Sequence, residues 1–163
     1  MVWAAFGFNG QVGLAFLDGR QNSPKYIETL ENHLMPFAEN IEGRNWEYQH
    51  DNAPTHTSSA TKIYLNSKNV TVFEWPPMNP DINQTENVWG IMSRKVYENG
   101  RQFYSVNALK TSIESPWYNL EPEILQTLIM SMENIRCLTE KWKDFKLLKT
   151  LFWAPFVEKS YVL

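Results

Sequence analysis

Two acidic residues stand where an α/β protein could use them for chemistry. Asp51 lies in QHDNAPTHTS, where an alternating, strand-like segment ends, and Glu86 lies in QTENVWG, where a helical pattern begins. The carboxyl ends of strands are where α/β folds bind ligands. Two carboxylates brought together repel each other unless a cation lies between them, and hard oxygen ligands suit Mg²⁺ or Mn²⁺. Paired ions of this type activate water and stabilise the leaving oxygen in phosphodiester cleavage.

Structural roles explain the same residues without chemistry. Asn83, three positions before Glu86, completes a capping-box pattern, in which the two side chains satisfy the first backbone N–H groups of a helix. The segment Asp51–Pro54 suits a turn. His50 and His56 are more typical of hydrogen-bonding groups than of zinc ligands. Spacing alone therefore leaves the catalytic and the structural interpretations of both acids open.

The elements that would position these acids follow from the periodicity of apolar residues. Apolar runs at 2–8 and 13–18 flank the turn signal Asn9-Gly10 and predict a β-hairpin. A helix is predicted after Pro24, with Asn22 or Ser23 as its cap. Further strands are predicted at 46–51 and 70–75, and helices at 55–67, from Asn83, and at 105–115, 121–134 and 138–152, with breaks at Pro116 and Pro122. This alternation predicts an α/β sheet with helices packed on it, followed by a helical tail.

Composition limits the class of protein. The 163 residues suit one domain, and a hydrophobic content of 43% predicts a globular fold. The net charge of −3 does not indicate a nucleic-acid binder, although a local basic patch can differ from the sum. Cys137 is the single cysteine, so neither an internal disulfide nor a cysteine zinc cluster can form. The opening MVWAAFGFNG predicts no signal peptide, and no run reaches the roughly 20 apolar residues that span a bilayer.

Six stretches in unbroken order resemble the catalytic domain of Tc1/mariner-type transposases, which cut and paste DNA elements. They are MVWAAFGFNG, FLDG, YIETLENHLMPFA, QHDNAPTHTS, EWPPMNPDINQTENVWGIMSRKV and LIMSMENIR. The resemblance implies a ribonuclease-H-like mixed sheet with flanking helices. It divides the chain into a partial catalytic domain at 1–136 and a divergent, helical C-terminal tail at 137–163.

The same resemblance assigns roles to individual residues. Asp51 matches the second acid of an Asp-Asp-Glu triad that holds Mg²⁺ or Mn²⁺, and Glu86 matches the third. The 34 positions between them, 52 to 85, and the glutamate itself favour the Tc1-like branch. Neighbours expected to shape the active site are Asn52, Pro54, His56 and Asn87. Arg94, Lys95 and Arg101 are candidates for contacting the DNA backbone, and a solvated helix face explains them equally well.

The chain departs from the family pattern in two places. The first triad aspartate belongs on a central strand that precedes Met1, and no residue of this chain fills that place. Gln84 stands where the family has proline. Without the central strand, we expect the strands of 2–18 and of 46–75 to lack a bridge, and unpaired buried strand edges are costly. The isolated chain is therefore expected to be poorly stable and catalytically inactive.

The resemblance implies a fragment of a cut-and-paste transposase that performs metal-dependent phosphodiester cleavage and strand transfer. Its expected partners are transposon-end and target DNA, with a homodimer for the full-length protein, residence in the nucleus and no membrane. Whether this chain is an enzyme stays open because the first acid is absent. One alternative is a decayed or domesticated remnant that binds DNA or a protein partner, and another is a ribonuclease-H-like nuclease without strand transfer.

Overall fold

The computed structural model of this protein describes residues 1–38, 46–73, 84–138 and 149–153, with 132–138 and 149–153 described by their backbone alone. Within these ranges the strands are β1 (Val2–Gly7), β2 (Gly10–Phe16), β3 (Trp46–Gln49), β4 (Thr71–Val72) and β5 (Lys149–Trp153). The helices of the same ranges are α1 (Ser23–Thr29), α2 (Met35–Ala38), α3 (Ser59–Ser67), α4 (Gln84–Val96), α5 (Val106–Tyr118) and α6 (Pro122–Leu138). A π-helical turn, Leu30–Leu34, joins α1 to α2. The predicted order of strands and helices is confirmed through α6.

Local signals in the sequence set several of these boundaries. Strands β1 and β2 form the predicted antiparallel hairpin, and Gly10 takes the positive φ of 117° that its turn requires. The Asn22 side chain caps α1 by accepting a hydrogen bond from the Lys25 N–H. Ser58 caps α3 in the same way through Thr61 N. The break predicted at Pro116 is wrong, because α5 continues through this proline to Tyr118.

The sheet has the order β2-β1-β5-β3-β4. Strand β5 pairs antiparallel with β1 at Ala5 and Phe6 and parallel with β3 over Trp46–Gln49. The helix predicted over 138–152 is therefore wrong at 149–152, which belong to strand β5, while α6 extends to Leu138 and residues 139–148 lie outside the described ranges. The physical reason is that pairing with two open strand edges overrides the local helical pattern. The expectation of an unbridged sheet is wrong for the same reason.

Helices cover both faces of the sheet, and β1 contributes to both cores by strand alternation. One core combines Val2, Ala4 and Phe6 with apolar side chains of α4, α5 and α6. The other combines Trp3 and Ala5 with side chains of α1, the π-helical turn and α3. Each large apolar side chain that is fully buried contributes roughly 1.5–3 kcal/mol. The predicted α/β architecture is confirmed, and no helix in the described ranges is long and apolar enough to cross a membrane.

Candidate active site

The Asp51 carboxylate lies two residues beyond the end of β3 and is held by its own loop. Its Oδ1 accepts a hydrogen bond from the Ala53 backbone N–H at 2.9 Å, which closes a tight turn. The same oxygen accepts a hydrogen bond from His56 Nδ1. The His56 side chain is 5% exposed and that of Asp51 is 32% exposed, so the carboxylate is fixed from inside and open to solvent. The predicted turn at Asp51 is therefore present, and it leaves the carboxylate accessible. The active-site role of Asp51 stays a prediction.

Opposing effects act on the pKa of Asp51. Partial burial raises this pKa, but the hydrogen bond and charge of His56, the Ala53 N–H and the His50 ring outweigh burial. The net result is a pKa below the ordinary aspartate value. Asp51 is therefore an anion at neutral pH, which is the form that coordinates a cation.

Two buried tyrosines support His56: Tyr26 packs against its ring, and Tyr48 contacts Tyr26. The rings of Tyr26 in α1 and His56 are 4.3 Å apart, and the hydroxyl groups of Tyr26 and Tyr48 lie 2.9 Å apart. Burial raises the pKa of both phenols, so both remain neutral. The sequence pattern places these tyrosines in the core, and no local signal reveals that they contact the Asp51 loop.

His50 points its ring back at the loop instead of outward to a ligand. Its Nδ1 donates to the Asp51 carbonyl oxygen at 2.8 Å, and its ring meets that of His56 edge-on at 5.6 Å. Burial lowers the pKa of His50, which favours the neutral imidazole. Among the residues that the structure describes, no group of three or more His, Cys, Asp or Glu could hold a metal ion.

The remaining loop residues lie between Asp51 and the start of α3. Asn52 and Pro54 are exposed, and the turn is closed by His56 N donating to Ala53 O at 2.9 Å. An open cavity of about 440 Å³ lies beside the loop. It is lined by His50, Asn52, Thr57, Lys62, Leu65, Asn66, Val70, Val72 and Phe73. The cation Lys62 at this cavity has no distinguishing signal in the sequence.

Glu86 occupies a different environment, because this residue is exposed in the first turn of α4. That turn is anchored by Gln84, which is 4% exposed and donates from Nε2 to Ser131 Oγ of α6 at 3.0 Å. Asn87 Nδ2 donates to Gln84 Oε1, also at 3.0 Å. Gln84 thus uses its amide where the family pattern has proline. Asn83 lies outside the described residues, so the capping-box alternative stays a prediction.

The structure groups the loop residues His50, Asp51 and His56 through hydrogen bonds and ring contacts. Helix α4 packs against β5, the neighbour of β3, and convergence of Glu86 with Asp51 stays a prediction. Arg94 and Lys95 are exposed in the last turn of α4, about 12 Å along the helix from Glu86. Arg101 is exposed, and its guanidinium lies 5.8 Å from the Phe103 ring.

Comparison with known proteins identifies relatives of one kind. The family model described as DDE superfamily endonuclease matches residues 2–110, which include both Asp51 and Glu86. The Tc3 transposase of Caenorhabditis elegans is 33% identical over 134 residues, covering 82% of this chain and 41% of that protein. The Tcb1 transposase of Caenorhabditis briggsae is 31% identical over 137 residues, covering 84% of this chain and 49% of that protein. This chain therefore spans less than half the length of these relatives.

Solved structures of the Mos1 mariner transposase show the same fold. The catalytic domain with raltegravir and Mg superposes with a TM-score of 0.73 at 19% identity, covering 89% of this chain and 76% of that chain. The Mos1 paired-end complex with the left transposon end superposes with a TM-score of 0.73 at 20% identity, covering 89% of this chain and 44% of that chain. The predicted ribonuclease-H-like fold is confirmed.

Proposed function

This chain belongs to the DDE superfamily endonuclease family, and we propose that it is a fragment of a Tc1-like cut-and-paste DNA transposase. The observation that carries this proposal is the Asp51 carboxylate, held as an anion at the carboxyl end of a strand within the matched region. We propose that Asp51 and Glu86 are two of the acids that serve phosphodiester cleavage and strand transfer. A third acid would have to lie outside the described residues.

The donor atoms near Asp51 suit Mg²⁺ or Mn²⁺. Both described hydrogen bonds to the Asp51 carboxylate fall on Oδ1, so among the described residues Oδ2 receives none. The neighbouring Gln49 Oε1 is buried and has no hydrogen-bond partner among the described residues, and strand alternation directs it away from Tyr48, to the face on which α4 packs. An unpaired buried acceptor costs about 1–3 kcal/mol unless a donor or cation satisfies it. Hard oxygens of this kind are the ligands that these ions prefer.

Each residue of the site has a part in holding the reacting groups. Asp51 and Glu86 would hold divalent ions, which when bound activate water and stabilise charge on the phosphodiester oxygens. His56 fixes the Asp51 carboxylate, and the buried tyrosine pair fixes His56. Gln84, together with Asn87, fixes the first turn of α4. Positioning of this kind lowers the barrier because the charged groups need not reorganise during the reaction.

The proposed partner is DNA, both the transposon ends and the target. The solved paired-end complexes of Mos1 contain a transposon end, which supports this proposal for a chain of the same fold. Arg94, Lys95 and Arg101 are the proposed contacts to the DNA backbone, where lysine and arginine neutralise phosphate charge. We further propose a homodimer for the full-length protein and residence in the nucleus, where the DNA of a eukaryotic host lies.

A second candidate function, a remnant that binds DNA without cutting it, is favoured by one observation. Strand β5, with the sequence KTLFW, occupies a central position in the sheet and contains no acidic residue. A protein with only two of three carboxylates could keep its fold and its DNA-binding surface while losing cleavage. The described part of the chain is compatible with this function as well as with the transposase fragment.

One experiment tests whether this chain binds DNA and whether it cuts it. The purified chain is incubated with plasmid DNA and Mn²⁺, and both DNA retention and strand nicking are measured for the wild type and for Asp51→Asn. We expect retention of DNA with no nicking, which fits an inactive transposase fragment and the non-cutting remnant alike. Nicking that Asp51→Asn abolishes would show a complete catalytic site in this chain. Failure to retain DNA at low salt would overturn both functions.

A further inference from the structure

We propose that the gap between β1 and β3 is a strand-binding slot and that residues 149–153 of the same chain are its built-in ligand. In the described ranges β1 pairs with β2 and β5, and β3 pairs with β4 and β5. The two halves of the sheet therefore share no pairing except through β5. Without it, the sheet would separate into the β1–β2 hairpin and the short pair formed by β3 and β4.

The slot specifies the direction and register of its ligand. It accepts a strand that runs antiparallel to β1, opposite Ala5 and Phe6, and parallel to β3, opposite Trp46–Gln49. Main-chain hydrogen bonds on both edges supply affinity, as in proteins that bind peptides by adding a strand to a sheet. An occupant paired on both sides also removes two exposed edges that would otherwise promote aggregation.

The chemistry of residues 149–153 fits such a slot. Central strands covered on both faces read as continuous apolar or β-branched runs, and Thr-Leu-Phe-Trp is a run of this type. Helices cover the two faces of this sheet, with α4 packed against β5 itself. Residues 149–153 thus complete the sheet, but this strand contains no carboxylate that could bind a metal ion. Completion of the sheet is therefore separate from metal binding in this chain. A competing strand would have to displace residues 149–153.

Engineered disulfides test this pairing in the 163-residue chain. Residues Thr71, Glu47 and Thr150 stand in register on the neighbouring strands β4, β3 and β5. Adjacent strands lie about 4.8 Å apart, and a disulfide needs Cα atoms within about 7 Å. In a Cys137→Ser background, the pair Glu47→Cys and Thr150→Cys is compared with the control pair Thr71→Cys and Thr150→Cys, which β3 separates by about 9–10 Å.

We expect mild oxidation to link the first pair within one chain and to leave the control pair open. A disulfide that forms only between two chains would overturn the proposal, because the slot would then hold the strand of a second copy. Linkage of neither pair, or of both equally, would also overturn it. The result needs neither metal nor DNA, so its failure is distinguishable from failure of the proposed function.

A second measurement covers the case in which the cysteine variants do not fold. In the unmodified chain, hydrogen exchange at 149–153 is compared with exchange at β3. We expect the two segments to be protected to a similar degree, because they share one set of hydrogen bonds. Exchange at 149–153 as fast as in an unstructured peptide, with β3 still protected, would overturn the proposal.

Discussion

The candidate site has two acidic regions: the Asp51 region, which is the loop after β3, and the Glu86 region, which is the first turn of α4. They differ in the contacts that hold them in place. Asp51 is fixed by its own loop, through the N–H group two residues away and a histidine five residues away. Glu86 is exposed on a helix whose start is fixed by Ser131, a partner 47 positions from Gln84. The first region is organised by its own loop and by Tyr26 of α1, so it is in place once β3, α1 and α3 form. The second region depends on the docking of α6, so it should be the first to loosen when the fold is weakened.

The largest expected loss of stability comes from a substitution in the Asp51 region. His56→Ala removes the buried partner of Asp51 Oδ1 and leaves a gap beside Tyr26. We expect the free energy of unfolding to fall by about 1–2 kcal/mol, measured by urea denaturation. His56→Gln can still offer an N–H donor and should recover part of the loss. Equal loss in both variants would indicate that packing, not the hydrogen bond, fixes this region.

The second largest expected loss of stability comes from a substitution that loosens the Glu86 region. Ser131→Ala removes the acceptor of the Gln84 amide, at an expected cost of about 0.5–1.5 kcal/mol. The matched control is Thr127→Ala, since Thr127 lies on an exposed position of α6 and, within the described ranges, its hydroxyl donates to Glu123 O of its own helix. Hydrogen exchange should increase at the start of α4 and stay unchanged at 50–58. A similar increase at both regions would contradict the independence of the two acids.

Lowering the pH tests the Asp51 region separately from the Glu86 region, because His50, whose pKa is shifted, lies in the Asp51 region. The pKa of His50 in the fold is below its ordinary value of 6.5, so the unfolded chain takes up this proton first. The stability that the neutral ring contributes is complete above pH 6.5 and is lost as the pH falls below that value. We therefore expect the free energy of unfolding to decrease from about pH 7 to pH 5.

The control for this pH effect is His50→Gln, which removes the titrating ring. It should flatten the decrease, leaving the part that comes from His33, whose pKa burial also lowers. An unchanged slope in His50→Gln would show that the ring of His50 is not kept neutral by the fold.

The smallest expected effect on stability concerns the exposed cations. Arg94→Ala should change the free energy of unfolding by less than about 0.5 kcal/mol, because in the described ranges Arg94 has no ion-pair partner. DNA retention should nevertheless weaken, and its dependence on salt should become shallower. Substitution of exposed Lys68, which follows the end of α3 and is not a proposed contact, should leave DNA retention unchanged.

Sequence alone could predict the features that neighbouring residues determine. The Asn9-Gly10 hairpin, the cap of α1 and the turn at Asp51 each depend on contacts over a few positions, so their signals are local. The grouping of Asp51 with His56 belongs to this class. The resemblance to a known family added the roles of the two acids, which spacing had left open.

The features that distant residues determine were not predictable in this way. A helix was predicted over 138–152, but residues 149–153 form a strand because β1 and β3 present open edges on both sides. The Gln84 anchor requires Ser131, and the support of His56 requires Tyr26, both from other elements. No periodicity in the chain encodes such contacts, since they arise only when the helices dock on the sheet.

The central claim is that Asp51 and Glu86 hold the same divalent ions, and a double-mutant cycle on Mn²⁺ affinity tests it most directly. Calorimetric titration compares the wild type with Asp51→Asn, Glu86→Gln and the double variant, with Asp18→Asn as an exposed acidic control. The account predicts that each single variant loses nearly as much affinity as the double variant and that the control is unchanged. Losses that simply add, or a single variant that binds Mn²⁺ like the wild type, would contradict a shared site.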